Sequence, residues 1–200
     1  MQDKLLQTPD GVRDTYDVEC KKKRKIIEKL HHTLELYSYH DIETPTFEYF
    51  DIFNRDKGSA PSNEMYKFFD RDNNTLVLRP DITPSIARCV AKYYKDEQLP
   101  IRLCYTGNTY SNPRKLQGKL KEVTQIGAEL INDDSSAEMQ RSLQLLLILL
   151  RHLESTSSRS RSDRSITLRA SFQKPELQKP KNFRSRNTSI LRTSLVWRNI

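Results

Sequence analysis

The sequence predicts an α+β fold over residues 1–138, because that part of the chain combines helical periodicity with several short strand-like runs. The chain has 200 residues, of which 36% are hydrophobic, enough for one globular core. The composition changes near Glu138, since all five glycines precede Ile131 while residues 139–200 hold eleven serines and no glycine. We therefore expect a folded unit over 1–138 and an irregular, mostly disordered tail over 139–200.

The formal net charge of +8 would ordinarily favour a nucleic-acid partner, but this charge is unevenly distributed. Residues 139–200 contain 13 Lys and Arg against 3 Asp and Glu, and the remaining 21 basic and 23 acidic residues lie in 1–138. The basic character thus belongs to the tail alone. A nucleic-acid-binding protein that uses this Arg- and Ser-rich tail is one interpretation, and it requires the tail to be a genuine evolved segment.

The cysteines and histidines give no indication of a metal. Cys20, Cys89 and Cys104 are scattered without a Cys-x-x-Cys pair, so neither a disulfide framework nor a zinc site is indicated. His31 and His32 are adjacent and point in different directions on a helix, so we interpret them as surface residues. No apolar run reaches the roughly 18–20 residues that cross a bilayer, and the first residues lack a signal-peptide core. These features predict a cytoplasmic protein without a metal or another cofactor.

Two segments of 1–138 are predicted to be helices. Residues 17–39 place apolar side chains three to four positions apart. The basic run 21–25 within them is interpreted as a solvated helix start rather than a phosphate- or tRNA-binding patch. The second helix is predicted from Thr83 to about Lys95, with Thr83 as the N-cap residue and Pro84 at the first helical position.

Strands are predicted at 65–70 and 75–79, joined into a hairpin by a polar turn, and again at 99–105 and 122–131. Alternation along the last of these separates two faces. The core face is formed by Ile126, Ala128 and Leu130. The other face carries Gln125, Gly127 and Glu129, which would suit either a small polar ligand or plain solvation. The pattern alone favours solvation.

Four short motifs occur around the first helix in an order typical of one family. They are residues 8–14 (TPDGVRD), 42–45 (IETP), 78–83 (LRPDIT) and 125–129 (QIGAE). Together they resemble the core of class II histidyl-tRNA synthetases across nearly all of residues 8–131. The resemblance implies an antiparallel sheet flanked by helices, present here in truncated form, and it implies that Pro45 lies at a dimer interface.

Within that family, Asp81, Thr83, Gln125 and Glu129 match positions that hold the substrate histidine. The chemistry agrees, because an amino-acid ammonium group needs several oxygen acceptors and a carboxylate provides a charge-assisted hydrogen bond. Asp81, Gln125 and Glu129 can surround the ammonium group, and Thr83 adds a hydroxyl. With the resemblance, a ligand-binding face becomes the favoured interpretation of these residues.

The chain departs from an active synthetase in residues 107–113, which resemble the ATP-binding element and precede a flexible loop expected over 114–119. Ser111 stands where the family has an arginine that neutralises the α-phosphate, and Pro113 stands where it has a glutamate. Serine lacks the planar, positively charged guanidinium group of arginine. Losing one donor at a developing charge raises the activation free energy by on the order of 3–4 kcal/mol. The resemblance therefore implies a degenerate ATP site, no catalytic residues and no tRNA charging.

Residues 78–88 and 121–130 are more similar to the regulatory subunits of ATP phosphoribosyltransferase. Asp81 and Ile82 in particular stand where synthetases usually carry Glu and Gly. The resemblance implies a non-catalytic subunit of histidine biosynthesis, a homodimer within a hetero-oligomer that contains a short catalytic phosphoribosyltransferase subunit and responds to L-histidine. Neither a membrane nor tRNA is an expected partner. A divergent histidyl-tRNA synthetase is the alternative interpretation, and an ATP–pyrophosphate exchange assay separates the two.

The tail is predicted to be an out-of-frame translation. One allowed coding of residues 158–170, shifted by one base, reads FQIEIGQIDYFKG, which resembles the family's next segment. The same shift turns 192–198 into KNFFGVE and 139–141 into DAE, in family order. We therefore expect 143–150 to be an accidental apolar run without a partner surface and 155–200 to be disordered. The nucleotide sequence around codon 138 tests this prediction.

Overall fold

The computed structural model of the chain describes residues 4–54, 60–95, 97, 100–113, 120–133, 135–157, 166–173 and 190–197. Its helices are α1 (Asp17–Leu36), α2 (Phe50–Asn54), α3 (Thr83–Tyr93) and α4 (Ser136–Ser157). Its strands are β1 (His40–Asp41), β2 (Phe47–Tyr49), β3 (Lys67–Phe69), β4 (Thr75–Leu78), β5 (Ile101–Tyr110), β6 (Glu122–Ile131), β7 (Ile166–Gln173) and β8 (Ile190–Trp197).

The strands form two sheets, and the larger sheet carries the features of functional interest. Its order is β1-β5-β6-β8-β7, with β1 parallel to β5 and the other pairs antiparallel. The smaller sheet is antiparallel in the order β2-β4-β3. The predicted α+β fold with an antiparallel sheet flanked by helices is confirmed, and β6 has the bounds that alternation predicts.

The predicted hairpin is also confirmed as β3 and β4, and Asp70 stabilises its turn. The Asp70 carboxylate accepts hydrogen bonds from the backbone N–H groups of Asp72 and Asn74 at 2.9 and 2.8 Å. The side-chain amide of Asn74 donates a third at 2.9 Å. These donors, Asn74 foremost, hold the pKa of Asp70 below its usual value. Asn73 completes the turn with a φ of 60°, a conformation that asparagine tolerates.

Helices cover the two faces of β5 and β6 with different cores. On one face, α1 and α4 contribute to a buried cluster, here named the α1–α4 cluster. Its buried members are Ile26, Leu30, Leu34, Tyr39, Cys104, Ile126, Ala128, Leu145 and Leu149. On the opposite face the buried cluster is Ile82, Ile86, Val90, Ile101, Leu103, Tyr105 and Ile131, of which α3 supplies Ile86 and Val90 and its N-cap position supplies Ile82. Neighbours along each strand therefore serve opposite faces, as the pleat of a strand requires.

Helix α1 ends at Leu36, three residues before the end that periodicity predicts. Ser38 has a φ of 64°, in the left-handed region, so the chain leaves the helical path there. Tyr39 then packs in the α1–α4 cluster, and β1 begins at the next residue. The early end of α1 thus allows β1 to join the sheet beside β5.

The structure corrects the expectation of an irregular tail. Helix α4 crosses the predicted boundary at residue 138, and β7 and β8 extend the large sheet beyond β6. The sequence contains the physical reason, because residues 166–173 alternate apolar and polar residues with the period of a strand. The disorder expected for 158–165, 174–189 and 198–200 lies outside the described residues. The out-of-frame origin of the tail stays a prediction.

The apolar run 143–150 has a partner surface, contrary to the sequence-based expectation. Leu145 and Leu149 are buried in the α1–α4 cluster, and their spacing of four residues places them on one face of α4. Leu147, by contrast, is 57% exposed. The expectation was wrong because leucines at helical spacing form an apolar helix face, and α1 and the sheet provide an apolar surface against which that face packs. Despite its leucines, α4 resembles the other described helices in being too short or too polar to span a membrane.

Candidate functional site

A connected set of polar side chains lies between the start of α3 and the face of β5 and β6 that α3 covers. The Thr83 hydroxyl donates to Glu129 Oε1 at 2.7 Å, and the Tyr105 hydroxyl donates to the same oxygen at 3.4 Å. Gln125 Nε2 donates to the Tyr105 hydroxyl at 3.0 Å. Glu129 is thus the centre of a hydrogen-bond network, here named the Glu129 network, that joins one helix and two strands.

The strand register explains how these residues meet. Tyr105 of β5 pairs with Gly127 of β6, so Gln125 and Glu129, two residues to either side of Gly127, share its face. A Cβ atom at Gly127 would lie only 2.4 Å from both Cζ and the hydroxyl oxygen of Tyr105. Glycine at this position therefore lets the Tyr105 ring lie across β6 and reach residues on both sides.

The interpretation of this face of β6 as solvated is wrong. Gln125 is buried, and Glu129 is 0% exposed. A buried carboxylate is costly unless hydrogen-bond donors or a positive charge lie close to it. The hydroxyls of Thr83 and Tyr105 supply donors, and a cationic ligand such as an ammonium or imidazolium group would supply the charge. The arrangement is chemically suited to holding such a cation.

Thr83 binds Glu129 and does not cap α3 as the sequence predicts. The N-cap position of α3 is Ile82, where no side chain makes a capping hydrogen bond, and Pro84 lies in the first turn as expected. The Thr83 hydroxyl bonds to a buried carboxylate, and charge-assisted hydrogen bonds are stronger than bonds to neutral groups. Asp81 orients the helix start, because its Oδ1 accepts a hydrogen bond from the Ile82 N–H at 2.8 Å.

Tyr105 is a network residue that the sequence analysis missed. The available signal was Gly127, because a glycine inside a strand often marks a place where another group approaches closely. Identifying Tyr105 as that group requires the β5–β6 register, which depends on residues more than twenty positions apart. Of the four predicted histidine-binding residues, the structure joins Thr83, Gln125 and Glu129, and it places Asp81 two residues before Thr83.

Arg79 fastens the strands of the network to the segment that precedes β2. Its Nε donates to the Asn108 carbonyl at 2.8 Å, and its Nη1 donates to the carbonyls of Thr44 and Pro45 at 2.6 and 3.3 Å. Burial lowers the pKa of the Arg79 guanidinium from its usual value. Gly107 makes room for this side chain, since a Cβ atom there would lie 2.4 Å from Arg79 Nη2. Arg79 is thus a structural anchor beside the network.

The residues predicted to mark a degenerate ATP site lie just beyond β5. The Ser111 N–H donates to the Lys121 carbonyl at 2.8 Å, which prolongs the pairing of β5 and β6 by one step. Pro113 follows outside any helix or strand. The predicted flexible loop at 114–119 lies outside the described residues. Serine at position 111 leaves this strand end without a fixed positive charge from that side chain.

A second polar cluster lies near the same end of β5 and β6. Asn108 Nδ2 donates to Glu122 Oε1 at 2.7 Å, and Asn108 Oδ1 accepts from the Thr124 hydroxyl at 2.9 Å. Lys23, from the basic run of α1, donates to Thr124 Oγ1 at 2.6 Å. Burial, with a contribution from Glu122, raises the pKa of Tyr110. At least one lysine of the basic run therefore ties α1 to β6 rather than standing free in solvent.

Pro45 is exposed and lies two residues before β2, where Phe47 and Tyr49 are exposed too. Phe68 and Phe69 of β3 are further exposed aromatic residues of the small sheet. The rings of Phe47 and Phe68 meet edge to face with their centroids 5.9 Å apart. Exposed aromatic groups are typical of protein–protein interfaces. The dimer-interface role of Pro45 stays a prediction, and the aromatic residues add an observation in its favour.

Comparison with known sequences assigns the chain to a family. Residues 11–159 match the family model of histidyl-tRNA synthetase. An ATP phosphoribosyltransferase regulatory subunit from Ruminiclostridium cellulolyticum is 44% identical over 131 residues, which are 66% of this chain and 31% of that protein. A histidine–tRNA ligase from Methanococcus vannielii is 35% identical over 132 residues, 66% of this chain and 32% of that protein. The chain thus spans about a third of the length of these curated relatives.

Solved structures agree with the sequence comparison. A Bacillus halodurans structure, described as an ATP phosphoribosyltransferase regulatory subunit/histidyl-tRNA synthetase, is 36% identical with a TM-score of 0.66, over 74% of this chain and 38% of that chain. A histidine–tRNA ligase subunit from Alicyclobacillus acidocaldarius is 27% identical with a TM-score of 0.61, over 82% and 44% of the two chains. The matched residues 11–159 include the whole Glu129 network. By sequence and fold, this chain belongs to the histidyl-tRNA synthetase family.

Proposed function

We propose that this chain represents part of an ATP phosphoribosyltransferase regulatory subunit, a non-catalytic component of the first step of histidine biosynthesis. Curated relatives that are 44% and 41% identical to this chain carry that name. In this role the chain binds L-histidine and conveys its presence to a short catalytic phosphoribosyltransferase subunit. A ligand that binds two states of such an assembly with different affinities shifts the balance between them.

The Glu129 network is the observation that carries the ligand proposal. The Glu129 carboxylate is 0% exposed and accepts hydrogen bonds from the hydroxyls of Thr83 and Tyr105. The side-chain amide of Gln125 bonds in turn to the Tyr105 hydroxyl. Histidine offers an ammonium group and an imidazole, both of which can donate to these oxygens. Asp81 adds a second carboxylate near the start of α3. This set provides charge and several acceptors for one small cationic amino acid.

The absence of synthetase chemistry rests on Ser111. Adenylate formation develops negative charge at the α-phosphate, and a serine hydroxyl cannot replace a guanidinium as its partner. Pro113 lacks both a carboxylate and a backbone N–H in the same stretch. We propose that the strand end beyond β5 is a relic of an ATP site, and that binding of the amino acid is the activity that remains.

Partnership is the third part of the proposal. A homodimer would use the surface around Pro45 and the exposed aromatic residues of the small sheet. The catalytic subunit would bind this dimer within a hetero-oligomer. We place the assembly in the cytoplasm, where the free thiols of Cys20, Cys89 and Cys104 would remain reduced.

Calorimetry with L-histidine tests the ligand proposal. The chain should bind L-histidine, and Glu129→Gln should weaken binding roughly 10- to 100-fold because a charged acceptor becomes neutral. Glu122→Gln is the matched control, since Glu122 lies on the same strand but contacts Asn108 and is outside the network. An absence of heat with the native chain, both alone and mixed with the catalytic subunit, would count against histidine binding.

A divergent histidyl-tRNA synthetase is the second candidate, favoured by the 35% identity to the Methanococcus vannielii ligase. Histidine-dependent ATP–pyrophosphate exchange separates the two functions. We expect no exchange above background, and none after Ser111→Arg alone, since Pro113 also departs from the synthetase pattern. Histidine-dependent exchange by the native chain would establish the synthetase function instead.

The partnership is tested with the short phosphoribosyltransferase encoded in the same genome. Co-expression should yield a complex, and ATP-dependent phosphoribosyl transfer should rise when this chain is present. The comparison should include the chain with its present sequence and a version in which the reading frame after codon 138 follows the predicted family sequence. Failure of both versions to co-purify or to stimulate transfer would refute the regulatory role.

A further inference from the structure

A second group of chemically active side chains lies on the face of the large sheet opposite the Glu129 network. His31 Nε2 lies 2.5 Å from Asp41 Oδ1, and Cys104 Sγ lies 3.5 Å from that same oxygen. One ligand atom from each of the three residues lies within 4.8 Å of each of the others. The three residues come from α1, β1 and β5, and nothing in the proposed regulatory function uses them.

The local structure brings these residues together for a simple reason. Asp41 pairs with Cys104 across the parallel β1–β5 ladder, so their side chains lie side by side. Helix α1 packs over the same face and brings His31 to them. The His31 side chain is 27% exposed while that of its neighbour His32 is 70% exposed. The two adjacent histidines therefore have different environments, although the sequence suggests the same surface role for both.

We propose that His31 Nε2, Asp41 Oδ1 and Cys104 Sγ form a binding site for a zinc-class divalent cation, with a water molecule as the fourth ligand. Nitrogen, oxygen and sulfur from these three residue types are the donors that zinc prefers in proteins. Cys104 forms the buried floor of the site, whereas the Asp41 side chain is 68% exposed and leaves the site open to solvent.

The distances suit a tetrahedral site after a small movement. Zinc–ligand bonds of about 2.0–2.3 Å place neighbouring ligand atoms roughly 3.3–3.7 Å apart. The Asp41–Cys104 separation of 3.5 Å already falls in that range. The His31–Asp41 separation of 2.5 Å must open by about 1 Å. The exposed Asp41 carboxylate can make this adjustment by rotating about its own side-chain bonds.

Glu35 lies one turn further along α1, beside the second ring nitrogen of His31. Its Oε1 is 3.6 Å from His31 Nδ1, slightly beyond hydrogen-bond distance, and its Oε2 is 3.4 Å from Nδ1 of His32. Metal-binding histidines ordinarily donate their other ring N–H to a carboxylate, and Glu35 would take this position after a small movement. Nε2, the nitrogen that faces Asp41, is therefore the one available for coordination. This contact predicts that Glu35 contributes to affinity without touching the cation.

Cation binding must remove the proton of Cys104. Burial, reinforced by the Asp41 carboxylate, raises the pKa of this thiol to about 12 in the metal-free protein. The entering cation forms a bond to Sγ, the S–H bond breaks, and the proton leaves to solvent past Asp41. One proton is released from the thiol for each ion bound, so binding should be stronger at higher pH.

The simpler interpretation is that His31 and Asp41 form an ion pair that fastens α1 to β1 above a core cysteine. Both interpretations predict that His31 matters for stability, so stability alone cannot separate them. They differ in the thiol, because only a metal site converts Cys104 into a bound thiolate. Spectroscopy of that sulfur is therefore the deciding measurement.

Titration of the full chain with Co²⁺, which occupies zinc sites and is coloured, gives that measurement. We expect one equivalent to bind and to produce the near-ultraviolet charge-transfer band of a cobalt–thiolate bond, which Zn²⁺ then bleaches by displacement. Cys104→Ala and His31→Gln should each abolish the band, and Glu35→Gln should lower affinity at least tenfold. The matched controls His32→Gln and Cys89→Ala should leave the band intact.

A second readout guards against variants that fail to fold. Zn²⁺ should raise the melting temperature of the native chain, and Asp41→Asn, a change at an exposed side chain, should remove that rise. Absence of the thiolate band in the native chain would overturn the proposal. Its persistence in Cys104→Ala or His31→Gln would overturn it equally, because the sulfur or nitrogen would then come from elsewhere.

Discussion

The two faces of the β5–β6 pair are built from the same two strands, yet they use chemistry differently. On the α3 side, Thr83, Gln125 and Glu129 hold polar atoms in a closed, buried network. On the α1 side, an apolar cluster fills the centre of the face, and polar groups flank it: Cys104 lies beside Asp41 and His31, and Lys23 bonds to Thr124. Both faces therefore carry protein hydrogen bonds, but the network on the α3 face is centred on a carboxylate that is 0% exposed.

The largest expected effect concerns the apolar face. Leu149→Ala should lower the free energy of unfolding by about 2–5 kcal/mol, because it opens a cavity between α4 and the sheet. Leu147→Ala, at an exposed position of the same helix, should change it by less than about 0.5 kcal/mol. Urea unfolding of both variants measures the difference. Equal, small effects would restore the view that the leucine run has no partner surface.

On the α3 face, we expect a substitution to destabilise the chain by a steric clash and not by opening a cavity. Gly127→Ala should destabilise the chain by about 1–3 kcal/mol, since the new Cβ would overlap the Tyr105 ring. Adding Tyr105→Leu should recover part of that loss, because a smaller, flexible side chain can move aside. A double-mutant cycle of unfolding free energies measures this coupling. Strict additivity would mean that the ring does not lie across Gly127.

A smaller effect tests the network itself. Thr83→Val keeps the shape of the side chain but removes the hydroxyl that donates to Glu129, so a cost of about 1–2 kcal/mol is expected. Thr109→Val is the control, since that hydroxyl makes only a 3.4 Å contact to the Val123 carbonyl. If chemical denaturation finds the two variants equally stable, the Thr83 bond does not support the buried carboxylate.

The smallest effect is the pH dependence of Cys104. Because folding raises the pKa of its thiol from 9.0 to about 12, the stabilisation is complete below pH 9 and is lost as pH rises from 9 toward 12. Between pH 8 and pH 10, with a chelator present, the free energy of unfolding of the native chain should fall by about 1 kcal/mol more than that of Cys104→Val. Tyr39 and Tyr110, whose pKa values are also raised, titrate in both proteins. If the free energy of unfolding of the native chain and of Cys104→Val changed with pH in the same way, the Cys104 thiol would not be buried and neutral.

The sequence predicted the α3 face better than the α1 face for a physical reason. Gln125 and Glu129 lie on one strand, so alternation alone put them together, and the motif at 78–83 supplied Thr83. The site on the α1 face needs His31, Asp41 and Cys104, which come from three elements and meet only through the β1–β5 register and the packing of α1. Local periodicity carries no information about the β1–β5 register or about the packing of α1. The sequence pattern therefore suggests only a surface position for the two adjacent histidines.

The tail shows the opposite limitation. Its composition favours an irregular segment, and residues 158–165 and 174–189 carry most of the charge and proline that create this impression. Strand-like alternation at 166–173 is present in the sequence, but a composition averaged over 62 residues conceals it. The local alternation predicts a strand, whereas the overall composition predicts an irregular segment. The structure has strands at β7 and β8, as the local alternation predicts.

Strand β6 has one consequence for any shortened form of this chain. It pairs with β5 on one side and, over residues 124–131, with β8 on the other. A product that ended near residue 138 would leave that second side as a run of unpaired backbone N–H and C=O groups on a largely apolar strand. Such an edge recruits strands from other molecules as readily as from its own chain. In the described sheet the tail moves the edge from β6 to β7, whose residues alternate between apolar and polar, and removal of the tail should therefore promote aggregation.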